Sequence, residues 1–164
     1  MKRQGGLIDE SKNVYSHFTK IPYKTQAKLW EFPSGATIGF SAISCDDDLG
    51  SWQGSQLTRI LIDEAGDKWT EKQVLFLQSR LRTVGSDIHP QLILSCNPDP
   101  NSFLFEWVKF CLDEDTGVPK EGTENTIRWF CVEDNKAKWA NRPEECYELY
   151  GKPKNLMYAH GLTE

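Results

Sequence analysis

The sequence contains no Cys-x-x-Cys or Cys-x-x-x-Cys pair. Its five cysteines, Cys45, Cys96, Cys111, Cys131 and Cys146, are odd in number and widely spaced. That spacing argues against a disulfide framework and a zinc site, and leaves reduced thiols buried in apolar stretches as the expectation. His17, His89 and His160 lie far apart and have no metal-ligand spacing. No apolar run approaches the ~20 residues of a membrane span, and residues 1–6 lead into no signal-peptide core. An excess of positive charge is also missing: 19 Lys and Arg against 24 Asp and Glu give a net charge of −5. Composition therefore does not suggest a basic nucleic-acid module, although a local patch is compatible with it. There is no internal repeat, and no Pro/Gly/Ser linker divides the 164 residues. Hydrophobic residues at 38% and aromatics at 12% exclude a disordered acidic tail. What remains is a soluble, mildly acidic chain of one-domain length with enough apolar residues for an ordinary core.

Several elements are legible. A short helix is expected over 9–18, with Val14, Tyr15 and Phe18 on one side. Strands are expected over 28–32 and 36–43, joined as a hairpin at Pro33-Ser34-Gly35. Asp46-Asp47-Asp48 follows, either a solvated loop or three carboxylates for a metal. Arg59-Ile60-Leu61-Ile62 reads as a buried strand, so Leu61→Asp is expected to unfold the protein. Residues 70–82 read as a helix, opened by a Thr70/Gln73 capping box. Gln91 to Ser95 is a second buried strand, stopped by Asn97-Pro98-Asp99-Pro100. A helix over 102–112, a strand over 126–132 and a last helix between Pro143 and Tyr150-Gly151 complete the pattern. Strand, helix, strand, helix, strand predicts an α/β fold with a mostly parallel sheet. Ligands in such sheets bind beyond the carboxyl ends of the strands.

At those ends stand Asp63 and Glu64 after the first buried strand, then Ser95, Cys96 and Asn97 after the second. Four aliphatic-strand positions followed by Asp-Glu form a Walker B arrangement. Asp63 would hold the Mg²⁺ that bridges nucleotide phosphates, and Glu64 would orient or deprotonate the attacking water. Ser95 and Asn97 would touch the γ-phosphate or the water and sense hydrolysis. The bland alternatives are a charged strand end and an Asn-Pro turn that merely stops a strand. The motif is short: Leu7-Ile8-Asp9-Glu10 repeats Leu61-Ile62-Asp63-Glu64 letter for letter. There, however, the two acids read as helix N-terminal charges.

No Gly-x-x-x-x-Gly-Lys-Ser/Thr phosphate loop occurs in the chain, and without one nucleotide binding is expected to be feeble. The chain reads as a portion that begins after such a loop. Arg80 and Arg82 could meet DNA phosphate or a neighbour's nucleotide, or simply cap a solvated helix end. Trp107 and Trp129 read as core, and Trp52 as a candidate exposed contact.

Residues 54–65, Leu81-Arg82 and 92–98, in order, resemble the large terminase subunit of tailed bacteriophages. So do residues 5–11 with Tyr15, residues 126–130 and Pro143-Glu144-Glu145. The resemblance implies that residues 1–164 are the later portion of a terminase ATPase domain, with a partial RecA-like (P-loop NTPase type) sheet and an N-terminal β-hairpin. It would lack both the phosphate loop and the nuclease domain. It implies a share of an ATP-driven DNA-packaging motor, with Asp63 on Mg²⁺, Glu64 activating water, and Ser95 and Asn97 in the coupling motif. ATP and Mg²⁺ would be the cofactors. Partners would be double-stranded DNA, the portal protein, the small terminase subunit and further copies in a ring, in the host cytoplasm and away from membranes. Two alternatives stay open: a non-catalytic fragment acting as an interaction module, and a helicase-type ATPase fragment.

Overall fold

The computed structural model describes residues 6–18, 21–83, 88–97, 99–123, 126–149 and 154–157. The chain divides into two compact units, Met1–Cys45 and Asp46–Glu164.

In the first unit, helix α1 spans Leu7–Tyr15, with Asp9 and Glu10 in its first turn, where the helix dipole favours carboxylates. It begins and ends earlier than the apolar spacing suggests. A three-stranded antiparallel meander follows: β1 (Tyr23–Lys24), β2 (Leu29–Glu31) and β3 (Thr37–Gly39). The β2–β3 hairpin turns at Pro33-Ser34-Gly35 as expected. Gly35 takes a φ of 85°, and the Phe32 N–H donates to the Ala36 carbonyl at 2.8 Å. Trp30, 5% exposed, is the core of this unit. Its ring lies 5.3 Å from Tyr15 and 4.9 Å from Tyr23, and its indole N–H donates to the Ser11 hydroxyl.

The second unit opens with a 3-10 helix at Asp46–Trp52, followed by β4 (Arg59–Ile62), α2 (Glu71–Gln78) and β5 (Gln91–Leu94). Strands β4 and β5 pair in parallel, with Leu61 opposite Ile93 and Ile62 opposite Leu94. The chain crosses between them through α2. The capping box is present: the Thr70 hydroxyl accepts from the Gln73 backbone and the Gln73 side chain accepts from the Thr70 backbone. Helix α3 (Phe103–Val108) runs into a 3-10 turn at Lys109–Cys111. Strands β6 (Ile127–Glu133) and β7 (Lys136–Ala140), helix α4 (Pro143–Leu149) and strand β8 (Lys154–Met157) follow.

Three expectations change. The described strands do not join one mostly parallel sheet: β4–β5 is the one parallel pair among them, and β7-β6-β8 is a separate antiparallel sheet. The cause is local. Asp134 and Asn135 take φ of 49° and 59°, the left-handed pair of a two-residue hairpin turn, and this folds β7 back on β6. Second, β4 is not buried on both faces: Ile62 is 4% exposed but Leu61 is 71% exposed, and Ile93 beside it is 46% exposed. Third, α2 stops at Gln78, so Arg80 and Arg82 are not helical. The Ser79 hydroxyl donates to the Phe76 carbonyl, competing with the helical ladder. The chain beyond it runs extended beside Leu57, which donates to the Arg80 carbonyl and accepts from the Arg82 N–H.

The core lies between α2, α3 and the antiparallel sheet. Trp107, Phe130 and Trp139 cluster with ring centres 5.0–5.9 Å apart. Glu71, at the start of α2, ties the elements together: its Oε1 accepts from the Trp107 indole at 2.9 Å and from the Ala137 N–H at 2.8 Å. On the other face of the sheet Cys131, Ala140 and Cys146 pack with Trp129. Cys45 and Cys96 are exposed; Cys111, Cys131 and Cys146 are buried. Among the described residues no helix is long and apolar enough to cross a membrane.

Candidate functional site

The parallel ladder ends at Ile62 and Leu94, and the polar residues expected at the strand ends leave it side by side. Ser95 is bound three times to the exit of β4. Its N–H donates to the Ile62 carbonyl at 3.0 Å, its carbonyl accepts from the Ala65 N–H at 2.8 Å, and its hydroxyl donates to Asp63 Oδ1 at 2.6 Å. Two residues 32 apart in sequence are thereby held in direct contact. Parallel pairing makes this contact possible, because it brings both carboxyl ends to one edge.

Glu64 takes a φ of 53°, a left-handed conformation that costs a non-glycine residue about 1–2 kcal/mol. The strand therefore turns sharply at Glu64 instead of continuing its alternation. Gly66 completes the turn: a Cβ there would lie 3.3 Å from Cys96 Cβ and 3.4 Å from the Asn97 carbonyl oxygen. Any larger residue would require these neighbours to give by a few tenths of an ångström.

Glu64, Gly66, Asp67, Asn97 and Asp99 line a cleft of about 230 Å³. Asp63, Glu64, Ser95 and Asn97 are all solvent-exposed. Gly66, Asp67 and Asp99 are the members that sequence reasoning missed. Asp99 also holds its own turn, accepting from the Asn101 backbone at 2.8 Å. Cys96 is exposed as a residue, but partial desolvation of its thiol beside the cleft pushes it up from its ordinary value.

The donor set is oxygen only, carboxylate and hydroxyl, the chemistry of a hard cation. Among the described residues no group of three or more His, Cys, Asp or Glu side chains could hold a metal ion. A cation here would therefore share its ligands with water and substrate, as Mg²⁺ does when one or two carboxylates and phosphate oxygens surround it.

The other candidates fall elsewhere. Asp46 accepts from Lys72 and Gln73; the Lys72 hydrogen bond above all holds its carboxyl below the usual range, with desolvation opposing it and Gln73 adding to it. Arg80 stacks 5.0 Å from the Phe76 ring centre and donates to the Ser79 hydroxyl. Trp52 is half-buried in the 3-10 helix, and Trp107 is 3% exposed.

A family model described as terminase large subunit, T4likevirus-type, N-terminal, matches residues 9–154. Neither the curated proteins nor the solved structures contain a match.

Proposed function

We propose a nucleotide-hydrolysis role for the Asp63–Ser95 site from one premise: the chain belongs to the terminase large subunit family of tailed phages. Membership gives it a role in the DNA-packaging motor. The finer assignment is that β4 and β5 carry the Walker B and coupling residues, in a RecA-like arrangement of which the parallel pair and α2 would be part.

The observation that supports it most is the hydrogen bond from Ser95 to Asp63 Oδ1 at the common exit of the parallel pair. Asp63 offers its carboxylate to Mg²⁺, and bound Mg²⁺ would neutralise charge on the phosphates of ATP. Glu64, held in the turn beside the cleft, accepts a proton from water or orients it. Ser95 donates to the carboxylate that would hold the cation, so a change at the phosphates would reach β5 through that hydrogen bond. Asn97, lining the same cleft, offers an amide to a phosphate oxygen or to the water. Double-stranded DNA, the portal protein, the small terminase subunit and further copies in a ring are the partners such a motor requires, in the host cytoplasm.

The test is ATP turnover with Mg²⁺ by the whole chain, compared with Glu64→Gln and Asp63→Asn. Glu64→Gln is expected to lower turnover by at least about 100-fold, and Asp63→Asn to raise the Mg²⁺ requirement. Turnover that survives both substitutions would sink the assignment. A second reading, a non-catalytic interaction module, is favoured by the absence of a phosphate-loop motif from these 164 residues. It predicts no nucleotide binding at millimolar concentration by the unmodified chain.

A further inference from the structure

Away from the Asp63–Ser95 site, the second unit holds a cation that the local packing leaves incomplete. Arg128, on β6, places its guanidinium carbon 4.7 Å from the Phe110 ring centre and 4.9 Å from that of Trp139. The two rings come from different elements, the 3-10 turn after α3 and strand β7, so the side chain is fixed from two directions. Seven ion pairs occur among the described residues, and none includes Arg128. No buried side-chain nitrogen or oxygen there lacks a hydrogen-bond partner, so the guanidinium nitrogens keep access to solvent. Burial works against the charge of Arg128, yet a guanidinium stays protonated at neutral pH. Among the described residues Arg128 has aromatic rings beside it and no ion-pair partner, so its charge stays open to an anion.

Lys120 is anchored next to the same 3-10 turn by its backbone: its main-chain N–H donates to the Cys111 carbonyl at 2.7 Å, one residue after Phe110. Lys120 is exposed, and Asp113 is the carboxylate that feels its charge.

We propose that Arg128, clamped by Phe110 and Trp139 and assisted by Lys120, is a phosphate-binding site distinct from the Asp63–Ser95 site. Guanidinium presents two parallel N–H donors to two phosphate oxygens, and the aromatic clamp removes the entropy cost of ordering a long side chain. Lys120 adds a mobile point charge. The phosphate could belong to a DNA backbone or to a nucleotide, and these sources separate experimentally.

Binding of two labelled probes is measured by anisotropy with the whole chain: a duplex of about 30 base pairs and an ATP analogue. Arg128→Gln is expected to weaken one probe about tenfold and Lys120→Ala about threefold. Arg128→Lys should fall between wild type and Arg128→Gln, because it keeps charge but loses the fork. Loss confined to the duplex, with a salt slope reduced by about 1, assigns the phosphodiester backbone; loss confined to the ATP analogue assigns the triphosphate. If Arg128→Gln fails to fold, the exposed Lys120→Ala variant decides alone. Wild-type chain that binds neither probe, or binding unchanged in every folded variant, overturns the proposal. Since binding is read instead of turnover, this failure is separable from failure of the Asp63–Glu64 chemistry.

Discussion

Glu64 is the residue at which conformation and chemistry compete. Its φ of 53° strains the native state, so Glu64→Gly should raise stability by about 0.5–1 kcal/mol in a thermal melt, less than the full strain because glycine also frees the unfolded chain. Glu64→Gln should leave the melt unchanged, so a drop in turnover for that variant would report the carboxylate alone. The Cys146 thiol supplies a pH dependence. Burial first, then the hydrogen bond and charge of Cys131, push it from 9.0 up to about 11. The folded state therefore holds this proton more tightly than the unfolded chain does. Its stabilisation is full below pH 9 and is lost as pH rises through about 11. Melts between these limits should show falling stability, and Cys146→Ala should flatten that slope. At this scale Asp63, Glu64, Ser95 and Asn97 were legible, because each follows an apolar run that stops abruptly. Gly66, Asp67 and Asp99 were not: their role depends on how closely two strand exits approach, and no local pattern encodes that distance.

Among the elements, β4 separates pattern from environment. Four aliphatic or long side chains in a row read as fully buried, yet Leu61 is 71% exposed while Ile62 is 4% exposed. Leu61→Asp should consequently change stability by no more than about 0.5 kcal/mol, whereas Ile62→Asp buries an unpaired charge and should cost about 4 kcal/mol or more. Equal urea midpoints for the two variants would contradict this burial pattern. Glu71 makes a comparable case for α2. Removing its carboxylate orphans the Trp107 indole and the Ala137 N–H, so Glu71→Ala should cost about 1–3 kcal/mol and Glu71→Gln less, since its amide oxygen still accepts. The capping box of α2 and the β2–β3 turn were readable because they are local. Strand β7 escaped notice because Lys-Ala-Lys-Trp-Ala has poor β-propensity. The left-handed Asp134-Asn135 turn was the available signal.

At the scale of the molecule, one chain of uninterrupted composition makes two compact units, 1–45 and 46–164. No Pro/Gly/Ser stretch marks the boundary, which lies just before the acidic run that starts at Asp46. Trp30 is the core of the first unit, so Trp30→Ala should accelerate amide exchange across 21–40 while protection in β6 and β7 persists. Uniform loss across both units would count against their separation. The net charge of −5 is a sum over the whole chain, and it conceals Arg128 and Lys120. The two-residue turn at Asp134-Asn135 also sets a clock. A hairpin closed over so short a loop forms within about 1–10 μs, whereas β4 and β5 must wait until the whole α2 crossover has been drawn in. The β6–β7 hairpin is therefore expected early and the Asp63–Ser95 contact late. Under mild denaturation, the contact made last is the one expected to open first.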